Sequence, residues 1–257
     1  MRFPLFGLCL CGIGLKSFCP TAGLAEETIR LRADAWMPIN GEPSAEAPGY
    51  AIEIVRAIFP ERGVKVDYRM MPWTDALKAV AAGEIEAVIG ASKKEAEGLI
   101  LPRESITVLN MGVYVLKDST WTYSNISSFS KIRLGAIDGY DYWDALNAYI
   151  RTNQPPRVVL FTGEAPLKEA IAKLKGAEID AMPENILVFT WAVKDAGLKI
   201  TDFRLAYRHE GEEAYIAFTA HGEAGRRYAQ WFDEGMARLR KSGELGKILS
   251  KYGVRDW

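Results

Sequence analysis

Cysteine is nearly absent from this chain of 257 residues: Cys9, Cys11 and Cys19 are the whole supply, and all three fall in the first 25 positions. Beyond them disulfides, thiolate nucleophiles and cysteine-ligated metals are excluded. Histidine occurs only as His209 and His221, so a multi-histidine metal centre cannot be built. Neither sign of charge dominates: 32 basic and 33 acidic residues leave a net charge of −1, which argues against a broad basic nucleic-acid surface. No Gly-x-Ser-x-Gly elbow and no phosphate loop ending in Gly-Lys-Ser/Thr is present. No cofactor, metal or catalytic residue is expected.

Long apolar runs are also missing after the start. Arg2 followed by the apolar stretch Phe3 to Leu15, with Gly23 and Ala25 as small residues before Glu26, reads as a cleaved secretory signal peptide over residues 1–25. The run is shorter than the ~20 residues that span a bilayer. Its removal takes away Arg2 and Lys16 and no acid, leaving 30 bases against 33 acids, a net charge of −3. Leu15-Lys16-Ser17-Phe18 before Cys19 lacks the small residues that precede a lipidated cysteine. A free exported protein is expected, retained in a Gram-negative periplasm.

What is present is an alternation of strand and helix patterns. Ile29–Arg32 predicts a strand. Ala51, Ile54, Val55 and Ile58 form one helix face, stopped at Gly63. Val64, Val66 and Tyr68 alternate as a strand. Thr74 or Asp75 can cap a helix carrying Ala76, Leu77 and Val80, and Ala87-Val88-Ile89 is a buried strand. Met111–Leu116 is another. Polar residues 117–131 interrupt the pattern, which restarts with a strand at Arg133–Ala136, a helix at Asp141–Ile150, a strand at Val158–Leu160 and a helix at Ala165–Leu174. Residues 76–87 and 170–181 resemble one another as helix, glycine stop, then an acidic residue and alanine opening a strand. Tyr215–Phe218 predicts a strand, and Tyr228, Phe232, Met236 and Leu239, then Leu245, Ile248, Leu249 and Tyr252, predict two closing helices. The pattern is that of an α/β protein in two similar lobes: residues 26–115 plus 211–257, and residues 116–210. Two chain crossings would make a two-stranded hinge beside a ligand cleft.

Certain segments, taken in order, carry a resemblance. They are Ala35-Trp36-Met37-Pro38, Gly49-Tyr50-Ala51-Ile52-Glu53-Ile54, Pro72-Trp73, Gly83-Glu84-Ile85-Glu86-Ala87, Ile179-Asp180-Ala181 and Gly243-Glu244-Leu245-Gly246-Lys247-Ile248. Over about residues 28–253 the chain resembles the extracellular solute-binding proteins of family 3, the polar amino-acid type that serves ABC importers. The resemblance implies a type II periplasmic-binding-protein fold, also called a Venus-flytrap fold, closing around one solute. It implies a monomer that hands a small polar solute, amino-acid-like or cationic, to an inner-membrane permease.

Pocket positions follow by the same resemblance. Trp36 falls where an aromatic packs on the ligand, the alternative being a lobe-core tryptophan. Trp73 is either pocket wall or core. Ser92 is placed to meet a ligand carboxylate or is a turn serine. Tyr140 is the aromatic expected from the second lobe. Glu184 is either the partner of a ligand ammonium or a helix-start acid. The family's arginine clamp for an α-carboxylate is missing from Ser92-Lys93-Lys94-Glu95-Ala96-Glu97, and the next arginine is Arg103. Two rival readings use the same scaffold: a lyase of the dehydratase type with Glu184 as its acid, and a sensory protein presenting its closed form to a membrane kinase or chemoreceptor.

Overall fold

The computed structural model describes residues 27–153, 155–163 and 165–257. The expected leader, residues 1–25, lies outside them.

The first half follows the apolar pattern closely. It comprises β1 (Glu27–Ala33), α1 (Tyr50–Ile58), β2 (Val64–Met70), α2 (Trp73–Ala81), β3 (Ala87–Ser92) and β4 (Thr107–Leu109). α1 buries Ala51, Ile54, Val55 and Ile58, the face that its spacing defines. Gly63 takes the left-handed conformation between the 3-10 turn after α1 and β2. α2 starts at Trp73 behind Pro72 and has no side-chain cap, so neither Thr74 nor Asp75 serves as the expected N-cap.

The second half holds β5 (Met111–Leu116), β6 (Leu134–Ile137), α3 (Asp144–Thr152), β7 (Val158–Phe161), α4 (Pro166–Lys175), β8 (Ala181–Asn185), α5 (Ile186–Asp195) and β9 (Phe203–Arg208). α3 begins three residues later than its pattern predicts. Asn147 draws the Tyr142 amide to its side chain at 3.1 Å, and the Tyr142 hydroxyl accepts from the Ile137 amide at 2.8 Å. These bonds hold residues 138–143 as a loop. β10 (Glu212–Phe218), α6 (Ala224–Ser242) and α7 (Glu244–Lys251) complete the chain. No helix among the described residues is long and apolar enough to cross a membrane.

Two five-stranded sheets result, in the orders β2-β1-β3-β10-β4 and β7-β6-β8-β5-β9. They repeat one plan. β1 pairs in parallel with β2 and β3, as β6 does with β7 and β8. An antiparallel strand then follows in each, β10 on β3 and β5 on β8. The two similar segments occupy equivalent places, α2 into β3 and α4 into β8. Each acidic residue before the strand clamps an arginine of the neighbouring strand or its approach. Glu86 accepts from the Arg30 amide at 2.7 Å and from its guanidinium at 2.6 and 2.8 Å. Asp180 does the same to Arg133 at 2.7, 2.7 and 3.0 Å.

The chain passes between the lobes twice. The first passage is at Asn110, between β4 and β5, and not after residue 115 as expected. β5 is hydrogen-bonded on both sides within the second sheet, which leaves the three-residue β4 as the first lobe's outer strand. The return lies between β9 and β10, where the His209 amide donates to the Met111 carbonyl at 2.9 Å. The two passages run side by side as a two-stranded hinge. The first lobe is closed from behind by α6 and α7, whose Tyr228, Phe232, Met236, Leu239, Leu245, Ile248 and Leu249 are all buried, as is Tyr252 at the end of α7.

Phe232 is fully buried at the centre of that face. Phe232→Ala should destabilise the first lobe by about 3–5 kcal/mol, read as a lower denaturant midpoint of the transition that includes α6.

Candidate functional site

The loops that follow β1, β3 and β6 come together at the junction, as the ends of strands in open α/β sheets do. They enclose a cavity of about 50 Å³ together with α2 and with β8, which brings its own side chain. Its walls are aromatic and apolar: Trp36, Trp73 and Tyr140, with Ile89, Leu109 and Met111 beside the hinge. Its polar groups are carboxylates: Asp34, Glu95 and Glu184, with Asp141 also on the lining.

Local structure fixes each group. Asp34 and Trp36 follow β1 in a turn closed by the Trp36 amide on the Asn40 carbonyl at 2.8 Å and by the Asn40 side chain on the Asp34 carbonyl at 2.6 Å. Gly90 lies under the Trp36 ring at a φ of 101°, and a β-carbon there would stand 3.1 Å from the indole. The glycine therefore serves both the backbone conformation and the seat of the ring. Tyr140 reaches across the junction, and its hydroxyl donates to Asp34 Oδ2 at 2.6 Å. Its ring packs against the apolar clusters of both lobes.

Glu184 sits inside β8, opposite Gly112 of β5, and is 1% exposed. Oε1 accepts from the Asn185 amide at 2.7 Å, while Oε2 is buried without a partner. The Trp36 indole Nε1 is likewise buried and unpartnered. It lies close enough to favour the ionised carboxylate, but the two atoms do not reach hydrogen-bond geometry. Burial pushes the Glu184 carboxyl up to about 8 from 4.5, against the Asn185 amide and with Asp34 adding repulsion. Burial also lifts Asp34 to about 6, with the Tyr140 hydroxyl opposing. Glu95 is raised by burial too, although the Ser92 amide and the Trp73 indole donate to it at 2.9 and 2.8 Å. No lysine, arginine or histidine is among the influences that set these three groups.

Four of the five residues expected from the sequence, Trp36, Trp73, Tyr140 and Glu184, therefore line one space. Ser92 does not. Its amide is engaged by Glu95, and its hydroxyl accepts from the Glu95 amide at 3.2 Å. Glu184 is a strand residue rather than a helix-start acid. The nearby cations pair with acids other than Asp34, Glu95 and Glu184. Lys93 pairs with Glu213 at 3.4 Å, and Lys94, 61% exposed, pairs with Asp144 at 2.8 Å and stands 3.7 Å from Asp141. Arg103 turns away to Asp233 at 3.2 Å. Sequence reasoning missed Asp34, Glu95 and Asp141. Asp34 lies two residues before Trp36, and Glu95 lies in the segment that lacks the family's arginine.

Ionisation of Glu184 links this site to stability. Below pH ~4.5 folded and unfolded chains both hold the proton; up to pH ~8 only the folded, empty chain does, so this contribution to stability falls as pH rises through that window. Asp34 acts in the same sense over a lower and narrower range. At ~1.4 kcal/mol per pKa unit the effect amounts to a few kcal/mol. Glu184→Gln should therefore melt close to the parent at pH 5 and above it at pH 8 when no solute is bound. Equal melting offsets at both pH values would remove Glu184 as a buried, uncompensated acid.

A sequence model of the bacterial extracellular solute-binding proteins, family 3, matches residues 32–255. No curated protein matches the chain. Among solved structures, a histidine kinase sensor domain with similarity to periplasmic binding proteins is similar at TM-score 0.72 and 20% identity, covering 90% of this chain and 99% of that one. An ancestral arginine-binding protein bound to glutamine gives TM-score 0.69 and 17% identity over 89% and 98% of the two chains. The substrate-binding protein of an amino acid ABC transporter gives 0.67 and 18% over 88% and 99%. At these identities the likeness is one of fold.

Proposed function

Because the chain belongs to the bacterial extracellular solute-binding proteins of family 3, we propose that it is a periplasmic receptor that captures a small, positively charged polar solute between its lobes. It then delivers the solute to the permease of an ABC importer. The observation that carries this reading is the buried, half-partnered Glu184 carboxylate facing Asp34 and three aromatic rings in a junction cavity. Taking carboxylates out of water without a counter-charge is unfavourable. A bound cation supplies the missing charge, and aromatic faces favour it further.

Closure follows from the same contacts. The Tyr140–Asp34 hydrogen bond and the Lys94–Asp144 pair both join one lobe to the other. Gly139 comes so close to α2 that a β-carbon would stand 2.6 Å from Thr74 Cγ2. The compact cavity is therefore the closed form, and solute enters by separation of the lobes at the hinge.

A sensory role has one specific support, the similarity to a kinase sensor domain. In that case the closed form would be read by a membrane partner instead of a permease. A lyase of the dehydratase type would use the raised Glu184 carboxyl as its acid, and it would return an altered compound.

The receptor reading is tested by a thermal-shift panel of amino acids, amines, betaines, small peptides, sugars and organic acids on refolded, stripped protein. A ligand with Kd ~1 μM present at ~1 mM adds about 4 kcal/mol, or roughly 8–16 °C for a chain of this size. The ligand should be recovered unchanged by NMR; product would favour the lyase. Gly139→Ala places a methyl group against Thr74 and, at a φ of +78°, also strains its own loop; it should weaken binding at least ~tenfold with circular dichroism unaltered, a larger loss than the lowered melting temperature of the empty protein accounts for. Unchanged affinity would remove this contact from the closing surface.

A further inference from the structure

We propose that the solute is an organic cation with N–H donors on its charged head and no carboxylate, an amine or a guanidine rather than an amino acid. This rests on the receptor reading and narrows its ligand.

The hydrogen-bond state of Glu184 points to the head group. Glu184 lines the cavity, and its Oε2 is buried with no hydrogen-bond partner among the described residues. An ammonium or guanidinium N–H satisfies it. A quaternary ammonium carries the charge but no donor, and would leave the oxygen unpaired.

The rest of the cavity argues against a carboxylate on the ligand. A zwitterion would bring its own anion into a space already occupied by Asp34, Glu95 and Glu184, none of them offset by a cation of the chain. Two donors that could receive it, the Ser92 amide and the Trp73 indole, are both held by Glu95, and a third, the Trp36 indole, lies beside Glu184 and favours that carboxylate's charge. The chain's own carboxylate thus occupies the place where an incoming one would bind. Lys93 and Arg103 of the following segment are paired with Glu213 and Asp233, and the exposed Lys94 with Asp144 and, at 3.7 Å, with Asp141 of the lining, so none of them offsets Asp34, Glu95 or Glu184.

A metal cation fits less well than an organic one. Among the described residues no group of three or more His, Cys, Asp or Glu side chains is placed to hold an ion. The acids are spread along walls of indole and phenol rings, a lining that suits a cation with an apolar body.

The test is calorimetry at pH 8 on matched pairs that differ by one carboxylate: agmatine against arginine, cadaverine against lysine, ethylamine against alanine. The decarboxylated member of at least one pair should bind at least ~tenfold tighter, because like charges in a desolvated site oppose binding. Tetramethylammonium should bind more weakly than the best amine. Glu184→Gln, and separately Asp34→Asn, should each weaken that amine at least ~tenfold with the circular dichroism of the parent. Amino acids binding as tightly as their amines, or tetramethylammonium equalling them, would overturn the inference. So would no binding by any amine; a shift with another class in the panel would then leave the receptor reading standing, and no shift at all would remove both.

Discussion

A carboxylate held out of water without a counter-charge is the constraint on which this molecule turns. β8 carries Glu184 in the second sheet opposite Gly112 of β5, with its side chain buried under the lobe junction at 1% exposure. Closing the first lobe over it brings up Trp36 and Asp34, and with them more desolvation and a second acid. When empty, the closed form keeps its lowest free energy by retaining the Glu184 proton. In the reading proposed above, a bound cation would displace that proton and form a charge pair in a low-dielectric space, and closure and ligand charge would be coupled through one residue.

The scaffold that imposes this is a plan used twice. Each lobe builds a parallel three-strand unit, adds an antiparallel fourth strand, and locks helix to sheet with an acid–arginine clamp, Glu86 on Arg30 and Asp180 on Arg133. In each case a carboxylate meets a guanidinium and the arginine's own backbone amide, which ties the turn after the helix to the neighbouring strand. Two lobes with the same plan present strand ends and loops to one another. The two connecting segments, at Asn110 and residues 209–211, are short and lie outside the strands of either sheet.

The cavity also explains a departure from the family pattern in physical terms. Where an arginine fork would grip an α-carboxylate, the chain has Glu95, which folds back onto the Ser92 amide and the Trp73 indole. The site keeps the donors and replaces the ligand's anion with one of its own. That exchange is the basis of the proposal that the ligand is a cation.

The sequence by itself determined the α/β class, the two lobes, the position of nearly every long element and the internal repeat. These depend on apolar spacing and turn residues, which are local. It also marked Trp36, Trp73, Tyr140 and Glu184, through the order of short segments around them. It did not show α5, β4 or β9, whose patterns are too short or too evenly apolar to have a clear period. It placed the hinge five residues late, because β5 reads the same in either sheet. Only the tertiary structure decided that Glu184 lies within a strand, that Asp34 and Glu95 join it, that Ser92 is turned to Glu95, and that among the described residues no lysine or arginine pairs with these three acids. Burial and pairing are properties of residues far apart in the chain, and neither can be computed from spacing along it.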